Sequence, residues 1–205
     1  TGRGGSAYMH REVRPGMKML ISPPVNLFGL DLRAKKHLMI AGGIGITPFI
    51  AQMAQLDAMG ARFELHYAAR DRELGAYMPE LSARYGDRVH RYYDAEGQAI
   101  DLATLLAGQP LGTHLYVCGP KGMIGWVLKT AADLGWPAGA VHSEEFLAPP
   151  VGQPFTVELA TSGKTITVGA AQSLLEAIEA AGVDAPYLCR GGACGQCETN
   201  VLACE

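Results

Sequence analysis

Three cysteines stand within nine residues, Cys189-Arg-Gly-Gly-Ala-Cys194-Gly-Gln-Cys197, a C-x4-C-x2-C run. Three of the four thiolates of a [2Fe–2S] cluster are supplied at this spacing. Gly191, Gly192 and Gly195 let the backbone wrap closely with its N–H groups toward sulfur, where a side chain would obstruct the approach. Two other readings stand beside it. One is a zinc site, which needs a second Cys or His pair at suitable spacing; the other is unpaired thiols. Five cysteines are an odd set for a secreted disulfide scaffold, so metal ligation is the better reading. Cys189, Cys194 and Cys197 are therefore candidate metal ligands. Cys204, seven positions past Cys197, is the only later cysteine, on what should be a strand leaving the site, and makes a poor fourth ligand.

A second group of residues points to a nucleotide. Ala41-Gly42-Gly43-Ile44-Gly45-Ile46-Thr47-Pro48 lies where a strand hands over to a helix, the place where a pyrophosphate meets backbone N–H groups and a positive helix end. It is not G-x-G-x-x-G, because Pro48 stands at the third glycine. Thr47 reads as the N-cap and Pro48 as the first helical residue. Taken alone, such a turn is as often a mere connection, but two further segments share its layer. Tyr116-Val117-Cys118-Gly119-Pro120, with Met123 after it, ends another strand, and His142-Ser143-Glu144-Glu145-Phe146 ends the last one. Tyr67-Ala68-Ala69-Arg70-Asp71 follows a strand end where an arginine suits a 2′-phosphate and an acid suits the free ribose hydroxyls. Both are present, so the residues leave NADH and NADPH open. A core cysteine at Cys118 and a solvated pair at Arg70 and Asp71 are the plain alternatives.

These turns need strands and helices to hold them. Hydrophobic periodicity predicts strands over 37–41, 63–68, 89–93, 115–118 and 141–146, alternating with helices over 48–59, 79–85, 102–107 and 123–134. Phe49, Ile50, Met53, Leu56 and Met59 fall roughly on one face of the first helix. The alternation implies an α/β fold with a parallel sheet covered on both faces. Met17–Ser22 is a strand candidate in an otherwise turn-rich stretch. Residues 148–154 hold three prolines in seven and read as a linker. Beyond them come strands over 156–159 and 166–168, a turn at Ser162-Gly163 and a helix over 173–181. The expected domains are 1–30, 31–147 and 155–205.

Composition narrows the function. At 205 residues and 48% hydrophobic the chain reads as globular, and a net charge of −3 gives no footprint for nucleic acid or a membrane surface. The apolar stretch from His37 to Ala51 is broken by glycines and a proline and is too short to span a bilayer. Thr1–Ser6 lacks a charged and then apolar leader, so the cytoplasm is the expected compartment. The chain opens on Thr1 and stops after an apolar run, so both ends read as cut.

With the cysteine loop, Gly-Gly-Ile-Gly-Ile-Thr-Pro, Cys-Gly-Pro and His-Ser-Glu-Glu-Phe resemble the ferredoxin–NADP reductase superfamily. Within it they resemble the phthalate dioxygenase reductase family, which carries a C-terminal plant-type ferredoxin. The resemblance covers essentially all 205 residues. It implies that Thr47, Cys118 and Phe146 are the catalytic residues, Cys118 beside the nicotinamide, Thr47 between flavin and nicotinamide, and Phe146 in edge contact with the flavin or the nicotinamide. It further implies that Gly43, Gly45, Gly119 and Pro120 bind the nucleotide, with Arg70 and Asp71 at the adenosine ribose. Arg3-Gly4-Gly5-Ser6 and His10 resemble the end of the family's flavin-binding β-barrel, where Gly4, Gly5 and Ser6 would grip the FMN phosphate; a flexible terminus is the alternative. The family's fourth cysteine comes from a later segment, which puts it beyond Glu205.

A hydride carries two electrons and a [2Fe–2S] cluster takes one, so a flavin is expected between them, on a barrel upstream. The resemblance implies NADH as donor, FMN and the cluster as carriers, and a terminal oxygenase, Rieske-type or another iron oxygenase, as partner. The alternatives are a non-catalytic NAD(P)H-binding and partner-docking fragment without a complete cluster, and a ferredoxin-like carrier joined to an unrelated domain.

Overall fold

Residues 5–21, 24–146, 152–190 and 194–204 are described in the computed structural model, and they gather into two units. Phe28–Phe146 is one; the described residues before and after it make up the other. Ahead of Phe28 lies one helix, α1 (Gly5–Arg11), with no buried residue. The strand expected at 17–22 is absent over its described part, 17–21. Leu20 is fully exposed and Ile21 nearly so. An extended apolar segment becomes a strand only where a neighbour takes its backbone hydrogen bonds, and no strand pairs with this one among the described residues.

The unit Phe28–Phe146 alternates strand and helix as the periodicity predicts. Its elements are β1 (Lys36–Gly42), α2 (Thr47–Ala58), β2 (Phe63–Ala69), α3 (Met78–Tyr85), β3 (Val89–Tyr93), α4 (Leu102–Ala107), β4 (Thr113–Cys118), α5 (Lys121–Asp133) and β5 (Val141–Glu144). The strands form one parallel sheet in the order β3-β2-β1-β4-β5. β1 is buried from His37 to Gly42, which is why it reads as a near-continuous apolar run and not as an alternation. The two-residue period then divides the core. Met39, Ala41, Leu65, Tyr67, Tyr116 and Cys118 pack with Phe49, Met53 and Leu56 of α2 and Leu81 and Tyr85 of α3. Leu38, Ile40, Leu115 and Val117 pack on the other face with Leu102 and Leu106 of α4 and Ile124, Val127 and Ala131 of α5.

Two boundaries differ from expectation. β5 ends at Glu144, leaving Phe146 two residues beyond it, and Met59 lies past the end of α2, half exposed, instead of on its buried face.

After residue 151, β6 (Phe155–Leu159) pairs antiparallel with β7 (Lys164–Val168). α6 (Leu174–Ala180) follows, opened by a capping box in which Ser173 Oγ accepts the Glu176 N–H and the Glu176 carboxylate accepts the Ser173 N–H. Ile166 and Val168 of β7 bury Ala177 and Ile178 of α6 in a small separate core.

Candidate functional site

β1 and β4 are neighbours whose chains leave in opposite directions, into α2 on one face of the sheet and α5 on the other. The crevice beyond their carboxyl ends is the switch point where open α/β sheets take ligands. Two turns line it. In the first, a 3-10 turn over Gly43–Ile46 runs straight into α2; the second is Cys118-Gly119-Pro120 ahead of α5.

The turns touch backbone to backbone. A Cβ on Gly45 would stand 2.2 Å from the Cys118 carbonyl oxygen and 2.7 Å from the Gly119 nitrogen. One on Gly42 would stand 2.5 Å from Met123 Sδ and 2.7 Å from Pro120 Cδ. Gly42 was not among the residues expected to bind the nucleotide, although the Gly-Gly pair marks it; Gly43 has open space around it. Gly119 is partly covered and Pro120 exposed, so this side of the crevice presents main chain.

Thr47 is not the N-cap. Ile46 precedes the helix with helical dihedrals, and the Thr47 N–H and hydroxyl both donate to the Ile44 carbonyl, the hydroxyl at 3.0 Å. A turn that is already helical offers no extended residue from which a side chain can reach forward to cap.

Cys118 is fully buried within the core. Burial pushes its thiol up to about 11, with Glu144, its register partner on β5, adding to the effect, so the thiol is neutral near pH 7. Burial also raises the Glu144 carboxyl. Phe146 is half exposed.

At the carboxyl end of β2, Arg70 is exposed and its carbonyl accepts the Ala95 N–H at 2.8 Å. Asp71 Oδ1 accepts the Leu74 N–H at 2.8 Å, fixing the following loop. Arg72 donates two hydrogen bonds to Glu96 and lies over the Tyr93 ring, 4.9 Å from its centroid. The sequence reading missed Arg72, because its partner is on another strand's exit.

Below the crevice, one face of the sheet carries a column of imidazoles. His114 Nδ1 and His142 Nε2 share a hydrogen bond of 3.0 Å, and the His142 ring stacks on Tyr116 with centroids 4.5 Å apart. Tyr116 Oη accepts the Asp31 N–H at 2.9 Å. His37 is buried, with no partner for Nδ1.

In the other unit, Cys189, Cys194 and Cys197 are each half buried and Cys204 is exposed; Gly191 and Gly192 lie outside the described residues. Arg190, with φ at 53°, pairs both guanidinium nitrogens with Glu179 of α6 and lies over the Tyr187 ring at 4.4 Å. The entry to the cysteine loop is thereby tied to α6. A cleft of about 340 Å³ between them is lined by Leu174, Ile178, Pro186, Arg190, Cys197 and Glu198. Three soft thiol donors around a turn fit an iron–sulfur group. Gly5 and Ser6 sit in the first turn of α1, not in a glycine turn, and Gly4 lies outside the described residues.

Residues 17–141 match the family model for the N-terminal domain of dimethylamine monooxygenase subunit DmmA-like proteins, and 157–205 match the 2Fe-2S iron–sulfur cluster binding domain. The chain is 50% identical over 200 residues to the heme-dependent oxidative N-demethylase beta subunit of Ectopseudomonas mendocina (strain ymp), covering 98% of this chain and 64% of that one. It is 45% identical over 206 residues to the carnitine monooxygenase reductase subunit of Acinetobacter baumannii, covering 100% and 65%. The structure of phthalate dioxygenase reductase superimposes with a TM-score of 0.83 at 36% identity, over 96% of this chain and 63% of that one. The chain belongs to the phthalate dioxygenase reductase family. It spans a little under two thirds of the length of these relatives. No helix among the described residues is long and apolar enough to cross a membrane.

Proposed function

We propose that this chain is the nucleotide-binding and cluster-binding part of an oxygenase reductase. The complete protein takes electrons from NADH through FMN and a [2Fe–2S] cluster to a terminal mono- or dioxygenase, of the Rieske type or another iron oxygenase. One observation carries the reading: the Gly45 turn and the Cys118 turn meet as bare main chain at the switch point, in a chain that also carries C-x4-C-x2-C. When bound, the flavin supplies the change from two-electron to one-electron transfer, and the cluster supplies the one-electron outlet.

Every other task falls to the chain's own residues. The main chain at Gly43 and Gly45, with the start of α2, binds the pyrophosphate. Thr47, the Cys118-Gly119-Pro120 turn and Phe146 frame the nicotinamide, and Arg70 and Asp71 receive the adenosine ribose. Cys118 acts through its main chain and its bulk, since its thiol is buried and neutral. Cys189, Cys194 and Cys197 hold the cluster. Gly4, Gly5 and Ser6 are assigned to the FMN phosphate by family resemblance alone, Gly5 and Ser6 being helical here and not in the glycine turn that the resemblance implies. The corresponding division is a barrel end at 1–30, a nucleotide domain at 31–147, a linker at 148–154 and a ferredoxin portion at 155–205, in a cytoplasmic protein. The unit Phe28–Phe146 supports the second of these boundaries.

An anaerobic NADH titration of the full-length protein, followed by visible absorption and low-temperature EPR, tests the reading. Flavin bleaching with a reduced [2Fe–2S] signal is expected. Nucleotide binding with no bleaching would leave only a docking module.

A further inference from the structure

We propose that Glu64, His66 and His90 form a site for a divalent ion of the zinc class, separate from the nucleotide crevice and from the cysteine loop. Glu64 and His66 are two residues apart on β2 and so share a face, and His90 on β3 is the register partner of His66. Ligand atoms from the three side chains lie within 4.8 Å of one another, the only such group of three among the described residues.

The surroundings orient these groups as the outer partners of a metal site do. Tyr92 Oη lies 2.8 Å from His66 Nδ1, and His66 Nε2 faces Glu64 Oε1 at 3.4 Å. In the ion-free protein the Tyr92 hydroxyl donates to Nδ1 and the Nε2–H donates to Glu64; an ion takes the place of that Nε2 proton, and Nδ1–H then donates to Tyr92. Glu64 is held from behind, its Oε2 by Lys36 Nζ at 2.7 Å and its Oε1 by Gln109 Nε2 at 3.3 Å. A hydrogen-bonded imidazole and a hydrogen-bonded carboxylate are the usual support for a bound ion.

His66 is buried and fixed, whereas His90 is exposed and can turn. Their rings are stacked with centroids 4.4 Å apart and 16° between planes, so His90 must turn out of the stack for its in-plane lone pair to meet an ion held by His66. Two imidazoles and one carboxylate favour zinc, cobalt or copper over magnesium or calcium, and leave a fourth position for water. The Lys36 ammonium beside Glu64 opposes the ion's charge and weakens binding. Glu64 and His90 are each the second residue of their strand, at the end of the sheet opposite the crevice, so the ion joins β2 to β3 and takes no part in hydride transfer.

The test is cobalt(II) titration of the full-length protein with its cluster assembled, read by visible absorption, with thermal unfolding measured with and without zinc. One cobalt per chain with weak nitrogen–oxygen d–d bands, and a rise in Tm with zinc, are expected. His90→Ala should weaken binding by at least about tenfold, and Tyr92→Phe, which removes only the hydroxyl behind His66, by about 10- to 100-fold. Intense thiolate-to-cobalt absorption would place the ion at the cysteines and overturn the proposal. So would cobalt binding unchanged in His90→Ala, or no binding at all.

Discussion

The alpha carbon of Gly45 faces the carbonyl oxygen of Cys118 so closely that a methyl group between them would stand 2.2 Å from that oxygen. Real carbon–oxygen contacts do not approach this, so Gly45→Ala must push the β1–α2 turn and the β4–α5 turn apart. Overpacking of this kind costs about 1–3 kcal/mol. The crevice opens with it, and the KM for NADH in the full-length protein should rise. Gly125 on α5 is the matched control, because nothing lies within 4 Å of an added Cβ. Gly125→Ala should stabilise by roughly 0.5–1 kcal/mol through helix propensity and leave KM unchanged. Chemical unfolding and steady-state kinetics on both variants check this; equal behaviour would remove the contact's importance.

Substitution of Cys194 by Ser removes one thiolate of the proposed cluster set. The [2Fe–2S] absorption and EPR signal of the full-length protein should be lost, while Cys204→Ser should keep both. A retained spectrum in Cys194→Ser, or a lost one in Cys204→Ser, would reassign the ligands.

The sheet was readable from sequence because β1, β2 and β4 are buried over most of their length and so carry short apolar runs, broken on β2 by Glu64 and His66. The switch point followed, since a glycine turn and a Cys-Gly-Pro turn at strand ends mark the crevice. What failed depended on partners or on backbone detail. Met17–Ile21 is mostly apolar but pairs with no strand among the described residues. Thr47 has a capping residue's chemistry but follows a turn that is already helical. Arg72 and Glu96 are joined across 24 residues. The group of Glu64, His66 and His90 needs the β2–β3 register before it exists, and no local spacing announces it.

The loop after β2 is where we propose that the adenosine ribose is received and the donor is chosen. Arg72 is committed to Glu96 and Asp71 to the Leu74 N–H, whereas Arg70 stands exposed at the strand end. If NADPH is accepted at all, Arg70 is the cation that meets its 2′-phosphate. Arg70→Ala should lower kcat/KM for NADPH by about 10- to 100-fold, the value of a charge-assisted hydrogen bond, and leave that for NADH nearly unchanged. Parallel kinetics with both donors check it, and an equal loss with the two would place Arg70 at the shared part of the nucleotide.

Acid should weaken the unit Phe28–Phe146 well before its carboxylates protonate. His37 is buried, and the groups facing it are His114, His142 and Asp31; burial first, then His114, hold its pKa below the usual histidine value. His142 is lowered for the same two reasons in the same order. The unfolded chain therefore takes up protons near pH 6.5 while these two rings stay neutral in the fold, so stability is unaffected above that pH and falls as pH drops below it, until the folded rings titrate. The slope is at most about 1.4 kcal/mol per pH unit for each histidine. Glu64, held down to about 2 first by its hydrogen bond with His66 and then by Lys36, adds a separate loss that begins as the pH falls below the ordinary carboxylate range and is complete only near its folded value. Urea unfolding between pH 5 and 8 should show the first slope, and His37→Phe, which keeps the ring beside Tyr116 but has no proton to gain, should flatten it. An unchanged slope in His37→Phe would assign the acid sensitivity to His142.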